Sequence, residues 1–350
     1  MISSEIGIRL GAFIAILIAM ALWEGAQPRR NRSFSRLRRW PSNLTIAVLN
    51  GLLVRILLPA TAVSLALVGE SKGWGLLNNL PVSRPIAIAA SLIVLDAVVY
   101  LQHVMFHAVP ALWRVPRMHH ADLDFDVTTG ARFHPIEILL SMLVKFAAVV
   151  ALGTPAAGVL IFEVLLNATS MFNHANVGIP VRLDRYLRWL VVTPDMHRVH
   201  HSILVDETNS NFGFNLPWWD RLLGTYRDQP AAGHDAMTIG IEQFRDAREL
   251  GLDRMLLQPF RGPWGGLHDY LDEQSADPIR RSKDVPLIDV AALRGRLEAG
   301  DELALIDVRG ADEFAGPLGH IAGAKNIPLA ELPQRIGELA ALQAVPIVAI

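Results

Sequence analysis

The 350-residue chain has no cysteine. Disulfides, thiolate metal sites and a Cys nucleophile are therefore excluded, and any transition-metal site must use nitrogen and oxygen ligands. Charge is also scarce: Asp, Glu, Lys and Arg make up 19% of the residues, against about 25% in soluble globular chains. With 51% hydrophobic residues and a mean hydropathy of +0.31, a wholly soluble enzyme and a disordered chain are both excluded. Neither sign of charge dominates. A net charge of −2 provides no global field for nucleic acid, so no nucleic-acid partner is expected.

What the chain does have is apolar sequence in blocks. Leu10–Trp23, Leu44–Val68, Pro85–Leu101, Ile136–Gly153 and Pro155–Phe172 each approach the roughly 20 residues that span a bilayer. One such block is compatible with a buried core helix; five within 172 residues predict a helical membrane bundle. Ala19-Met20-Ala21 imitates a signal-peptide cleavage site, but the basic residues follow the first block instead of preceding it. Those residues, Arg29, Arg30, Arg32, Arg36, Arg38 and Arg39, lie between the first two blocks and read as a cytoplasmic loop by the positive-inside rule. Counting spans from there places 103–134 and 174–226 in the cytoplasm. A basic cluster can also bind nucleic acid, a weaker reading beside two spans.

From about Arg227 the composition turns polar, and 227–284 reads as a connector with short helices. Beyond Val285 helices and strands alternate: a helix over Val290–Glu298, a strand over Leu303–Val308, a helix over Leu329–Leu342 and a strand over Val345–Ile350. Four regions result: 1–84 with the first spans and the basic loop, the core 85–226, the connector 227–284 and a partial α/β segment 285–350.

Histidine carries the chemical signal. None of the 12 precedes His103, nine lie between His103 and His201, and only His234, His268 and His320 fall outside. His103 and His107 are four apart on a helix continuing the third span, which stacks both rings on one face. His197, His200 and His201 form HxxHH, with the first ring facing the other two one turn on. Two such faces can pinch a metal between imidazoles.

The segments YLQHVMFH, RMHHAD, FNHANVGIP, TPDMHRVHHS and NFGFNLPWWDRLLGTY, spread over Pro85–Tyr226, resemble the histidine boxes of the fatty acid hydroxylase superfamily, also called the sterol desaturase family. The resemblance implies an all-α membrane bundle of about five spans under a cytoplasmic, helical metal-binding cap. It implies a non-haem di-iron centre (two Fe ions) and the metal ligands His103, His107, His119, His120, His174, His197, His200 and His201. It further implies a membrane lipid as substrate, O2, and an external electron donor of ferredoxin or cytochrome type with its reductase. The family's middle box is HxxHH; here Pro116 takes the place of the first histidine and His134 is the nearest substitute, or else a hydrogen-bonded residue at the start of the fourth span.

All-imidazole ligation leaves metal charge uncompensated, so carboxylates behind the rings are expected. Asp96, seven residues before His103 and inside a span, is the leading candidate, with an interhelical hydrogen bond as its alternative. Asp122, Asp124, Asp126, Asp195 and Asp206 read mostly as solvated or capping residues. Trp113, Trp189, Trp218 and Trp219 suit the interfacial belt.

Ala304–Arg309, Glu313-Phe314, Gly319–Ile321, Gly323-Ala324 and Asn326–Pro328 resemble the first half of a rhodanese domain, with His320 as a framework residue. The family's persulfide-forming Cys follows the strand matching Val345–Ile350, where this sequence stops; a truncated domain is the expectation. Without a thiol in the 350 residues, sulfur transfer is excluded for them. Two rival readings stand beside the oxygenase: a non-catalytic metal-binding membrane protein, and a membrane-tethered rhodanese-like adaptor.

Overall fold

The computed structural model describes residues 2–262, 288, 290–316, 319–328, 331–335, 337–339 and 346–349. His268 lies outside the described residues, as does most of the stretch 263–289. The chain divides into two compact units, 1–275 and 276–350.

The first unit is helical. Long helices α1 (Ile2–Ala26), α2 (Arg36–Leu57), α3 (Ala62–Lys72), α4 (Arg84–Ala108), α7 (Pro135–Leu152) and α8 (Ala156–Asn173) build its membrane part. Between and after them lie the short helices α5 (Pro110–Trp113), α6 (Arg117–His120), α9 (Val181–Leu187), α10 (Pro194–His200), α11 (Val205–Thr208), α12 (Trp218–Leu223), α13 (Gly233–Ala236) and α14 (Leu252–Leu257). Among the described residues, five helical stretches are long and apolar enough to cross a membrane, with 36–79 counted as one.

That second stretch departs from the continuous helix expected over Leu44–Val68. Pro59 lacks an N–H and holds Leu58 extended, so α2 ends. Thr61 then caps α3: its hydroxyl accepts from the Ser64 N–H (3.1 Å), and the Ser64 hydroxyl oxygen accepts from the Thr61 N–H (2.9 Å). At the far end Gly75 and Gly153, both at positive φ, let α3's exit loop meet the end of α7, where the Leu76 N–H reaches the Ala151 carbonyl. A Cβ on Gly75 would lie 2.1 Å from the Gly153 nitrogen.

Small side chains draw the spans together. Ala62, Ala66 and Ala156 pack with Leu95, Val149, Val159 and Phe162 in one buried cluster. In lipid this close packing, rather than water exclusion, holds helices side by side. One intramembrane charge cluster is paired: Glu163 on α8 meets Lys145 on α7 (3.0 Å) and Arg9 on α1 (3.2 Å). The stretch after Tyr226, expected as a connector, packs back onto this unit: Met255 of α14 is buried against Ile46 and Met118.

In the second unit a helix spans Val290–Glu298, and β1 (Ala304–Asp307), β2 (Lys325–Asn326) and β3 (Ile347–Ala349) form a parallel sheet of order β2-β1-β3. The helix expected over Leu329–Leu342 is described only in part, with a turn at Leu332–Arg335.

Candidate metal centre

Four pieces of chain converge at the end of the bundle. α4 continues past the apolar run and carries His103 and His107; α6 carries His119 and His120; His174 caps α8; α10 carries His197 and His200, with His201 as its cap. All eight rings are buried. They sort into two quartets, His103–His107–His120–His200 and His119–His174–His197–His201, and within each quartet the donor atoms lie within 4.8 Å of one another. The quartets abut: His120 stacks on His201 with centroids 4.6 Å apart.

Backbone carbonyls fix where four of the rings carry their protons. His103 Nδ1 donates to the Phe212 carbonyl (2.9 Å) and His200 Nδ1 to the Ser210 carbonyl (2.8 Å). A carbonyl only accepts, so the single proton of each neutral ring is on Nδ1 and each Nε2 bears a lone pair. Yet these two Nε2 atoms are 3.0 Å apart. The second quartet repeats the pattern: His119 donates to Arg132 O (3.1 Å), His174 to Ser170 O (2.7 Å), and their Nε2 atoms face each other at 3.1 Å.

Facing lone pairs repel unless a cation sits between them. Protonation is a poor remedy, because burial pushes His119, His200 and His201 well below the usual imidazole range and His174 down to about 3. A metal ion is a good one. Metal–imidazole bonds of about 2 Å set neighbouring ligand nitrogens about 2.9–3.4 Å apart, and the observed spacings, including His107 to His120 (3.1 Å) and His174 to His201 (3.1 Å) and His197 (3.2 Å), fall there. The residues present fit two metal ions.

The remaining rings are held otherwise. Nδ1 of His107, His120, His197 and His201 makes no hydrogen bond among the described residues, although the Asn209 side chain faces His107. Aromatic contacts steady two of them, Trp113 lying 4.5 Å from His107 and Phe125 5.2 Å from His201; Phe133 also stacks on His119 at 4.6 Å.

Residues 88–225 match the family model for fatty acid hydroxylase, and residues 289–350 that for a rhodanese-like domain. The chain carries a fatty acid hydroxylase domain and a rhodanese-like domain. With its five apolar helical stretches, it is an integral membrane protein. The chain is 30% identical over 176 residues to the ornithine lipid hydroxylase OlsE of Rhizobium tropici, covering 49% of this chain and 50% of that one. It is 28% identical over 132 residues to alkylglycerol monooxygenase of Xenopus tropicalis (36% and 27%) and 27% over 153 residues to the human enzyme of that name (43% and 33%). The chain thus spans half or less of these relatives. No solved structure matches it.

Several expectations for the hydroxylase domain change. Among the described residues Asp96 touches no histidine; it takes the interhelical alternative, accepting from Asn215 Nδ2 (2.7 Å), Trp219 Nε1 (2.8 Å) and Leu216 N (3.2 Å). It holds the loop whose Phe212 carbonyl orients His103. Asp220, which sequence reasoning missed, holds the same loop through the N–H groups of Phe212 (2.7 Å) and Gly213 (2.9 Å) and the Thr225 hydroxyl (2.7 Å). Burial pushes its carboxyl up to about 6. Gly213 is required there, since a Cβ would lie 2.9 Å from the Leu216 backbone oxygen as well as 2.7 Å from the Asp220 carboxylate.

Asp122 and Asp126 are not solvated. Both are fully buried and clamp Arg39, at 2.7 and 2.5 Å, and Asp124 accepts from Ser33 N (2.7 Å). Asp195 pairs with Arg29 (3.1 Å) and Arg198. Only Asp206 is exposed as expected. The basic residues between the first two spans therefore tie down the boxes, with Glu24 as a further missed tie: its Oε1 accepts from Val127 N and Asn176 N. Trp113 is buried against histidines and not in an interfacial belt, and Trp219 is turned onto Asp96. His134 caps α7, where Nδ1 accepts from Ile136 N, and joins neither quartet. In the rhodanese-like domain His320 stacks on Phe314 at 3.7 Å, a framework contact.

Proposed function

We propose that the protein is an O2-dependent, di-iron membrane oxidoreductase that hydroxylates a polar membrane lipid. The observation that carries this reading is the pair of buried imidazole quartets with facing lone pairs, set where α4 and α8 end. His103, His107, His120 and His200 would hold one iron, and His119, His174, His197 and His201 the other. Bound there, two redox-active irons supply the oxidising power that C–H cleavage needs and that side chains lack. The relatives are named for lipid hydroxylation and monooxygenation, which supports hydroxylation over desaturation, and for an ornithine lipid and alkylglycerols, which supports a substrate with a substantial polar head.

The chain's own part is to orient and to shield. Backbone carbonyls at Arg132, Ser170, Ser210 and Phe212 fix four rings with Nε2 bare. Trp113, Phe125, Phe133 and Phe212 close the flanks against water. We place the quartets on the cytoplasmic side, where a soluble ferredoxin or cytochrome-type donor with its reductase reaches them; Arg32, exposed in the loop after α1, and Arg38, exposed in the first turn of α2, support that orientation. We take 85–226 as the catalytic core and 285–350 as part of a rhodanese domain, 1–84 as anchor, and 227–284 as its flank.

Metal analysis of detergent-purified protein tests this, with about two irons per chain expected. Lipid extracts of an expressing host should gain a lipid heavier by one oxygen, dependent on O2. Metal-free protein, or lipid changes that survive alanine at His103 and His200, overturns the proposal.

A further inference from the structure

Two short helices beside the histidines present a face that water does not suit. α9 and α12 lie together: the Trp218 indole N–H donates to the Trp189 carbonyl (2.7 Å), and the Arg221 guanidinium lies 3.9 Å from the Trp189 and Tyr226 ring centres. Their outer side exposes Val181 (75%), Tyr186 (72%), Leu190 (67%) and Leu222 (74%), with Trp189 and Leu223 between. An apolar face of this kind marks a binding surface.

Its depth is set by bonds to the spans. Asn215 and Trp219 both donate to Asp96, which lies twelve residues after Arg84 and seven before His103 on α4. At 1.5 Å per residue that is about 18 Å and 10 Å along the helix, inside the roughly 30 Å hydrocarbon layer if α4 spans it. Asn215 also meets Thr169, near the end of α8. The start of α12 is therefore strapped to the walls of two spans, below the level of His103.

Charge on this face is sorted by sign. Arg182 and Arg185 are exposed, whereas the acids of the same two helices point inward: Asp184 is buried against Arg188 (2.5 Å) and Asp220 under the Phe212 loop. Exposed cations over an apolar face, with aromatic rings between, suit an anionic lipid surface.

We propose that α9 and α12 form a lip seated in the headgroup layer of an anionic leaflet, with Leu190 and Leu222 among the acyl chains and Arg182 and Arg185 on lipid phosphates. This rests on the membrane spans and not on the hydroxylase reading. The lip borders the α4 face that leads to His103.

The absence of cysteine permits a clean test. Single-cysteine variants Leu190→Cys, Leu222→Cys and, as an exposed control, Asp228→Cys are spin-labelled in the full chain and placed in nanodiscs of phosphatidylcholine with phosphatidylglycerol. Power saturation then compares access by O2, which dissolves in the bilayer, with access by a water-soluble nickel chelate. Labels at Leu190→Cys and Leu222→Cys should be open to O2 and about five-fold less accessible to nickel than the label at Asp228→Cys, as expected for side chains below the headgroups. Adding Arg182→Gln and Arg185→Gln should move the Leu190→Cys label towards water in these discs, and not in discs of phosphatidylcholine alone. Nickel access equal to the control overturns the proposal. So does a label closed to both reagents, which would mean that protein covers the face, whether a second copy or the C-terminal unit. An unchanged label after the arginine substitutions overturns the anionic-lipid assignment. All three labelled positions are exposed, so no variant removes core packing, and the measurement is unaffected by whether the chain hydroxylates anything.

Discussion

The two histidine quartets carry the same donor set on unlike supports. In the first, the rings of His103 and His200 hang from the carbonyls of Phe212 and Ser210, both in the loop between α11 and α12. That loop is itself held by side chains, Asp220 from beyond it and Asp96 from α4. In the second, His174 hangs from Ser170 in α8 and His119 from Arg132, whose guanidinium is pinned to Met118 O (3.0 Å) and Asn43 Oδ1 (3.2 Å). One site is thus framed by a tethered loop and the other by spans and buried polar bonds. Support of a ligand ring matters nearly as much as the ring, so the two sites should fail separately.

The largest break comes from removing a hub. His174 Nε2 lies within 3.2 Å of the Nε2 atoms of His119, His197 and His201. His174→Ala should empty the second quartet alone, halving the bound metal measured by elemental analysis. Hydroxylation should fall by more than about 100-fold, beyond what the loss of a mere supporting residue costs. Retention of both metals would show that the quartets do not act as two sites.

Arg39→Met should instead weaken both quartets together. It strands Asp122 and Asp126, fully buried, directly after the box that supplies one ring pair to the two sites. Breaking such a pair from one side costs about 3–5 kcal/mol, read as an earlier melting transition in detergent with metal released in a single step. A melt within a degree of the parent would mean the ion pair is idle.

Asp220→Ala sharpens the contrast at smaller cost. It leaves the Phe212 and Gly213 N–H groups unpaired and frees the loop that carries two ring supports. A chelator titration should become biphasic, with the first quartet losing metal about 10–100-fold more readily and the second unchanged. A uniform shift of both sites would erase the distinction between loop and helix framing.

How much of this was legible follows from the range of each interaction. Spans and boxes are local patterns, an apolar run or a spacing of three and four, and both could be read. The break at Pro59–Thr61 was legible too, since a proline followed by a capping threonine signals a stop and a new start, but the hydropathy of Leu44–Val68 masks it. Asp122 read as solvated because its partner, Arg39, is 83 residues away and no local rule joins them. The ring supports leave no trace in residue identity, because any residue has a carbonyl. Phe212 and Phe214 carried a weak signal, alternating on either side of the required Gly213 within NFGFNLPWWDRLLGTY. For Trp113 only the fold decides between a headgroup belt and a histidine neighbour.

The smallest effect tests the one departure from the family's box pattern. Pro116 stands where that pattern has a histidine, yet each quartet reaches four imidazoles without it. Pro116 is the N-cap of α6, and its carbonyl accepts from the His120 N–H (3.1 Å), a backbone role that other residues can also fill. Pro116→His should therefore leave two metals per chain, shift stability by no more than about 1 kcal/mol, and change turnover by less than the other substitutions do. If it instead raised metal content or turnover several-fold, a position would be open in the first or second quartet that four imidazoles do not fill, and the equal donor sets on which the comparison depends would be unequal.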